Sequence, residues 1–263
     1  MSRIEKVFEK PGKKALIAYI TAGYTSLEAT LKIVPLLAQN GCDIIEIGIP
    51  FSDPMADGAT IQQASHIALQ NGATPQRCLE MAEQLGKQVT VPLLFMTYYN
   101  PVFSYGVERF CRDCRRSGVD GLIIPDLPPD EGMELEAASH KQGLDLVYLL
   151  APTSTQARIK LVAERSQGFI YLVSVAGITG ARDSLPADLG AFIGRVRKET
   201  ASPLCVGFGI STPQQAAQVA GLADGVIVGS QIIKLMADGG DDFKAVSAFI
   251  KELRQALDSA PTA

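Results

Sequence analysis

Two acids in one short stretch, Glu46 and Asp57, are the residues of this sequence best suited to moving protons. Glu46 sits in the run Asp43-Ile44-Ile45-Glu46-Ile47-Gly48-Ile49, and an acid among four isoleucines finds its charged form poorly solvated, which makes it a candidate proton donor. If the run is a strand, Ile45, Ile47 and Ile49 share one face while Ile44, Glu46 and Gly48 share the other. Glu46 then points where only a core or a site can be. The competing reading is a strand-end carboxylate neutralised by a buried Lys or Arg.

A second kind of chemistry is written in glycines. Gly177-Ile178-Thr179-Gly180, Gly207-Phe208-Gly209 and Gly229-Ser230 each follow an apolar run. Backbone amides freed by glycine, with the amino end of a short helix near Ser230, form an anion site that needs no lysine. Lys234 is either a phosphate partner or a solvated side chain one turn further on.

The elements that must hold these groups follow from periodicity. Short β-rich runs at 15–21, 44–49, 92–98, 121–125, 144–150, 169–175, 203–207 and 225–229 alternate with helical patterns near 26–39, 60–70, 75–85, 107–117, 130–142, 155–165, 189–200, 212–220 and 241–257. Start signals such as Ser26 before Glu28 and Thr212 before Pro213 support the helices. Eight strands at about 33 residues per unit predict an α/β fold, a (β/α)₈ barrel forming a single domain over 1–263, with a short N-terminal helix and an extra short helix after strand eight. A doubly wound sheet is the alternative, with fewer strands and an early glycine fingerprint. A turn of the form Gly-X-Asp or Ala-Asp-Gly recurs before strands at 41–43, 118–120, 143–145 and 223–225. In such a barrel chemistry belongs at the C-terminal strand ends, where Glu46 and the glycine loops fall.

Composition excludes other classes. With 47% hydrophobic and 20% charged residues the chain can bury a large core. A net charge of -4, with Arg112, Arg115 and Arg116 the one basic cluster, argues against nucleic acid. No apolar run reaches the roughly 18 residues of a membrane span, and the start lacks a secretory segment, so the expected location is cytoplasmic. Five cysteines without framework spacing suit a reducing compartment, and Cys111 and Cys114 read as two thiols on one helix face. With His66 and His140 the only histidines, serine–histidine catalysis and metal sites are not expected.

The segment Glu46-Ile47-Gly48-Ile49-Pro50-Phe51-Ser52-Asp53-Pro54-Met55-Ala56-Asp57-Gly58 resembles the signature of the tryptophan synthase alpha chain family. Gly118 to Pro128, Gly177-Ile178-Thr179-Gly180 and Gly207-Phe208-Gly209-Ile210 match in order and spacing, and the resemblance covers essentially the whole chain. It implies a lyase that splits indole-3-glycerol phosphate into indole and glyceraldehyde 3-phosphate, with Glu46 as acid/base and an ionised Asp57 accepting the indole N–H. It places Tyr19, Met96, Tyr98, Leu150 and Tyr171 around the indole or the acid, and Gly180, Gly207, Phe208, Gly209, Gly229 and Ser230 on the phosphate. Thr179 closes a loop over Asp57, and Asp53, in an exposed stretch from Pro50 to Pro54, contacts a beta chain. The implied assembly is an alpha2beta2 heterotetramer, with pyridoxal phosphate in the beta partner and no cofactor in this chain.

Two departures stand out: Ala59 where many members have proline, and Tyr24-Thr25 where many have Asp-Pro. Neither removes a chemical group. Alternatives are a stand-alone indole-releasing lyase, another phosphate-handling barrel such as an isomerase or epimerase, and a barrel that only senses a phosphate ligand and activates a partner. The pair of acids disfavours the last two.

Overall fold

Residues 1–173, 188–207, 209–238 and 242–260 are described by the computed structural model of the chain. A 3₁₀ turn at Glu5–Glu9 precedes β1 (Ala15–Thr21), α1 (Leu27–Gln39), β2 (Ile44–Gly48), α2 (Ala59–Gln70), α3 (Pro75–Leu85), β3 (Leu93–Met96), α4 (Tyr99–Tyr105), α5 (Val107–Arg116) and β4 (Gly121–Ile123). The second half runs through α6 (Met133–Gln142), β5 (Asp145–Val147), β6 (Leu149–Leu150), α7 (Gln156–Arg165), β7 (Ile170–Val173), α8 (Leu189–Arg197), β8 (Leu204–Gly207), α9 (Pro213–Ala220), β9 (Gly225–Val228), α10 (Ser230–Asp238) and α11 (Lys244–Asp258).

The strands form one parallel sheet in the order β5-β4-β3-β2-β1-β9-β8-β7-β6. Its two edge strands are neighbours in the chain, separated only by Tyr148, so the sheet curls into a barrel. The expected strand at 144–150 is split there because the Tyr148 N–H goes to Ser166 Oγ (3.0 Å) instead of a neighbouring strand. Its carbonyl still accepts the Tyr171 N–H (3.1 Å), which carries the seam across.

Alternation divides the core in two. Leu16, Ala18, Ile20, Ile45, Ile47 and Ile49 pack outward against helices, on side chains such as Ile33, Val34 and Leu37 of α1. Ala15, Ile17, Tyr19, Ile44, Leu94, Met96, Tyr171, Cys205 and Ile227 fill the barrel itself. Ile4, wholly buried, plugs the lower mouth, and glycines at 121 and 168 give it room: a Cβ on either would lie 2.9 Å from its side chain.

Three of the four recurring aspartates share one job at that end, while Asp145 accepts the Ser2 hydroxyl at 2.5 Å. Asp43 takes the Leu16 N–H (2.9 Å), Asp120 the Leu93 N–H (3.0 Å) and Asp224 the Leu204 N–H (2.8 Å), each reaching a neighbouring strand. Arg254 and Lys13 balance Asp43, Arg3 balances Asp120, and Arg197 balances Asp224. Helix starts follow their signals: Ser26 Oγ accepts the Ala29 N–H and Thr212 Oγ1 the Gln215 N–H. All five cysteines are free and buried, and among the described residues no helix is long and apolar enough to cross a membrane.

At the two departures the chain is locally held. Thr25 has a left-handed φ of 62°, and Asn71 at the end of α2 ties down the carbonyls of Gly23 and Thr25 (2.9 and 3.1 Å). Ala59 opens α2 behind Gly58 and is exposed.

Candidate active site

Glu46 lies on the inward face of β2, in register with Tyr19 of β1 on one side and Leu94 of β3 on the other. Its side chain is fully buried, and neither carboxylate oxygen has a hydrogen-bond partner among the described residues. Desolvation pushes its carboxyl up to about 8. The competing reading of an ion-paired strand end therefore fails: among the described residues no Lys or Arg reaches it. An unpaired buried acid is costly to a fold and persists where a ligand will use it.

Asp57 stands in the loop between β2 and α2. Of the expected ionised acid beside a polar loop, the surroundings need correction: Asp57 is only 5% exposed, and burial raises its carboxyl to about 6. Tyr98 acts against that rise, its hydroxyl donating to Asp57 Oδ2 at 3.0 Å. Asp57 thus remains mainly charged at neutral pH while Glu46 holds its proton. Tyr19 and Tyr171 each feel the field of both acids, which puts the two carboxylates around one pair of phenols.

The tyrosines are seated on glycines. A Cβ at Gly48 would come within 2.2 Å of Tyr19 Oη, and one at Gly207 within 2.2 Å of Tyr171 Oη; one at Gly229 would meet the Tyr19 ring at 3.0 Å. Sequence reasoning treated Gly207 and Gly229 as phosphate contacts and missed this steric need, and it gave Gly48 no role. The signal was there in the parity of the strands: an inward glycine beside an inward tyrosine. Tyr19 Oη has a long contact, 3.4 Å, to Thr21 Oγ1.

Met96 joins Tyr19 and Tyr171 in the barrel interior, and a narrow cleft beside them is lined by Phe51, Asp57, Ser65, Thr97, Tyr98 and Pro125. Leu150 does not belong there. It packs with the outer core, whereas its neighbour Leu149 packs against the interior cluster, so the one-residue difference exchanges the two faces. Phe51, whose ring lies 5.4 Å from that of Tyr98, is a further wall that residue-by-residue reading passed over.

On the phosphate side, Ser230 begins α10, which follows β9 after Gly229, as expected for the extra helix. Gly209 has a left-handed φ of 83°, and a Cβ there would meet no described residue within 4 Å. Lys234 is exposed, in keeping with a solvated cation. Thr179, Gly180 and Phe208 lie outside the described residues. Asp53 is exposed as expected, but Pro50 at the start of its stretch is buried.

Comparison with known proteins agrees over nearly the full length. A sequence profile described as Tryptophan synthase alpha chain matches residues 6–261. A tryptophan synthase alpha chain of Dehalococcoides mccartyi is 56% identical over 258 residues, covering 98% of this chain and 100% of that one. One of Methanosarcina barkeri is 47% identical over 260 residues, with 97% of each covered. Among solved structures, Mycobacterium tuberculosis tryptophan synthase superposes with a TM-score of 0.91 at 39% identity over 98% of both chains, and a protein of Aquifex aeolicus with 0.90 at 42% over 98% and 99%.

Proposed function

The chain belongs to the tryptophan synthase alpha chain family of lyase-type (β/α)₈ barrels, and from that premise we propose that it cleaves indole-3-glycerol phosphate by a retro-aldol step run on Glu46 and Asp57. The observation that carries the reading is the buried Glu46 on the inner face of β2, without a hydrogen-bond partner among the described residues. Its proton goes to indole C3, which leaves the ring nitrogen positively charged and Glu46 ionised. Asp57, ionised, accepts the hydrogen bond of that N–H. The glycerol hydroxyl then returns its proton to Glu46; its electron pair forms the aldehyde C=O as the bond between C3 and the side chain breaks, and that pair restores the indole. Glu46 ends as it began.

Tyr19, Met96, Tyr171 and Leu149 supply an aromatic and aliphatic slot for the flat ring. Amides around Gly209 and the start of α10 are suited to the phosphate. Protein surface supports a partner: Met55 (82% exposed), two residues from exposed Asp53, Phe103 (63%) and Met133 (66%) follow three adjacent strands. We read them as the seat of a beta chain carrying pyridoxal phosphate, to which indole passes within an alpha2beta2 assembly.

The test is an indole-release assay on indole-3-glycerol phosphate with and without a beta chain. Release stimulated by the partner supports the reading, high turnover alone favours an independent lyase, and no release under either condition removes it. In the same assay Asp57→Asn should lose about 10²-fold or more in kcat, the scale of one charge-stabilising group. Unchanged turnover would exclude Asp57 as the ring-nitrogen partner.

A further inference from the structure

We propose that the Tyr98 hydroxyl is the positioning residue for Asp57, fixing one carboxylate oxygen so that the other faces the substrate's ring nitrogen. This goes beyond a wall of the indole pocket and rests on Asp57 having the role given above. The hydroxyl stands between two consecutive residues of the loop after β2. It accepts the Ala56 N–H at 2.9 Å, so its single hydrogen is directed to Asp57 Oδ2 at 3.0 Å. The same ring packs at a tilt against that of Phe51, centroids 5.4 Å apart, so one buried side chain grips both ends of the exposed stretch that holds Asp53 and Met55. Among the described residues no donor reaches Asp57 Oδ1, the oxygen left for a ligand.

Charge makes this bond consequential. The titratable groups that feel Asp57 are Tyr19 on β1, Tyr98 itself and Tyr171 on β7; Glu46 on β2 acts on Tyr19 and Tyr171, and Asp126 faces Tyr98 from the loop after β4. None is a cation. Among the described residues, the phenol is the side chain that favours the charged carboxylate against desolvation.

The experiment compares wild type, Tyr98→Phe and Phe51→Leu in pH profiles of indole-3-glycerol phosphate cleavage. Tyr98→Phe keeps the ring and removes the hydroxyl. Its kcat should fall by about tenfold or more with KM within about threefold. The acid limb of kcat/KM should rise by about half a pH unit or more, since a carboxylate without its donor ionises later. Phe51→Leu, which removes the ring contact and keeps the hydroxyl, should leave that limb in place. An unmoved limb in Tyr98→Phe, or an equal rise in both variants, overturns the proposal, because packing alone would then account for the loss. If wild type releases no indole, the reaction assignment fails instead. The positioning is then decided by ¹³C titration of the Asp57 carboxyl, assigned by its loss in Asp57→Asn: its midpoint must rise in Tyr98→Phe and not in Phe51→Leu.

Discussion

Glu46→Gln is expected to abolish indole release, lowering kcat by about 10³-fold or more, while the affinity for a phosphate-bearing indole analogue stays within about threefold. General acid–base groups contribute about 10² to 10⁴ to a rate. Glu46 stands at the upper end because it serves twice in the cycle, giving a proton to carbon and taking one from oxygen. Glutamine has almost the same shape and stays neutral, so the slot formed with Tyr19 and Tyr171 survives and only proton transfer is lost. Steady-state turnover paired with calorimetric binding of the analogue separates the two effects. Full activity in the variant would show that the proton comes from elsewhere and would end the assignment.

The second large effect concerns stability. Glu46→Gln is expected to be more stable than wild type at alkaline pH, by a margin that grows from pH 5 to pH 9. In the folded chain the Glu46 carboxyl is held at about 8 by burial, against an ordinary value of 4.5. Below 4.5 both folded and unfolded chains carry the proton, so it contributes nothing to the difference. Between 4.5 and 8 the unfolded chain releases it and the folded chain keeps it, so wild-type stability declines with rising pH; above 8 the loss is complete. At about 1.4 kcal/mol per unit the total is several kcal/mol, a large part of the about 5–15 kcal/mol that holds a domain together. Glutamine has no proton to lose, although its buried amide keeps its own desolvation cost, so the variant has no advantage at pH 5. Urea midpoints of both proteins at pH 5 and pH 9 measure this directly. An equal gap at the two pH values would mean that Glu46 ionises as freely inside the barrel as in water.

What could be read from residue order was whatever depends on local period. The inward direction of Glu46 follows from strict alternation in the β2 run, and the barrel follows from repeated strand and helix lengths. What could not be read depends on partners far away in the chain. The strand break at Tyr148 needs the Ser166 hydroxyl, and α4, which periodicity left unassigned, starts where the Asp126 carboxylate accepts the Tyr99 N–H at 2.9 Å. Asp57 reads as a loop acid because its neighbours are Gly, Pro and Ser; only the fold brings Tyr98 over it. Leu149 and Leu150 are chemically alike, so no property of either reveals which side of the barrel wall it occupies; parity counted from Val147, which packs in the interior, does.

The aspartate at the foot of β2 has a bearing on synthesis. Asp43 is fastened by Arg254, 211 positions later, and the same guanidinium holds the Lys14 carbonyl below β1 at 3.0 Å. A ribosome delivers the first two strands long before it delivers that arginine. The growing chain therefore carries this carboxylate without its final counter-ion through most of translation, and the earliest part of the barrel receives its last tether only as α11 emerges.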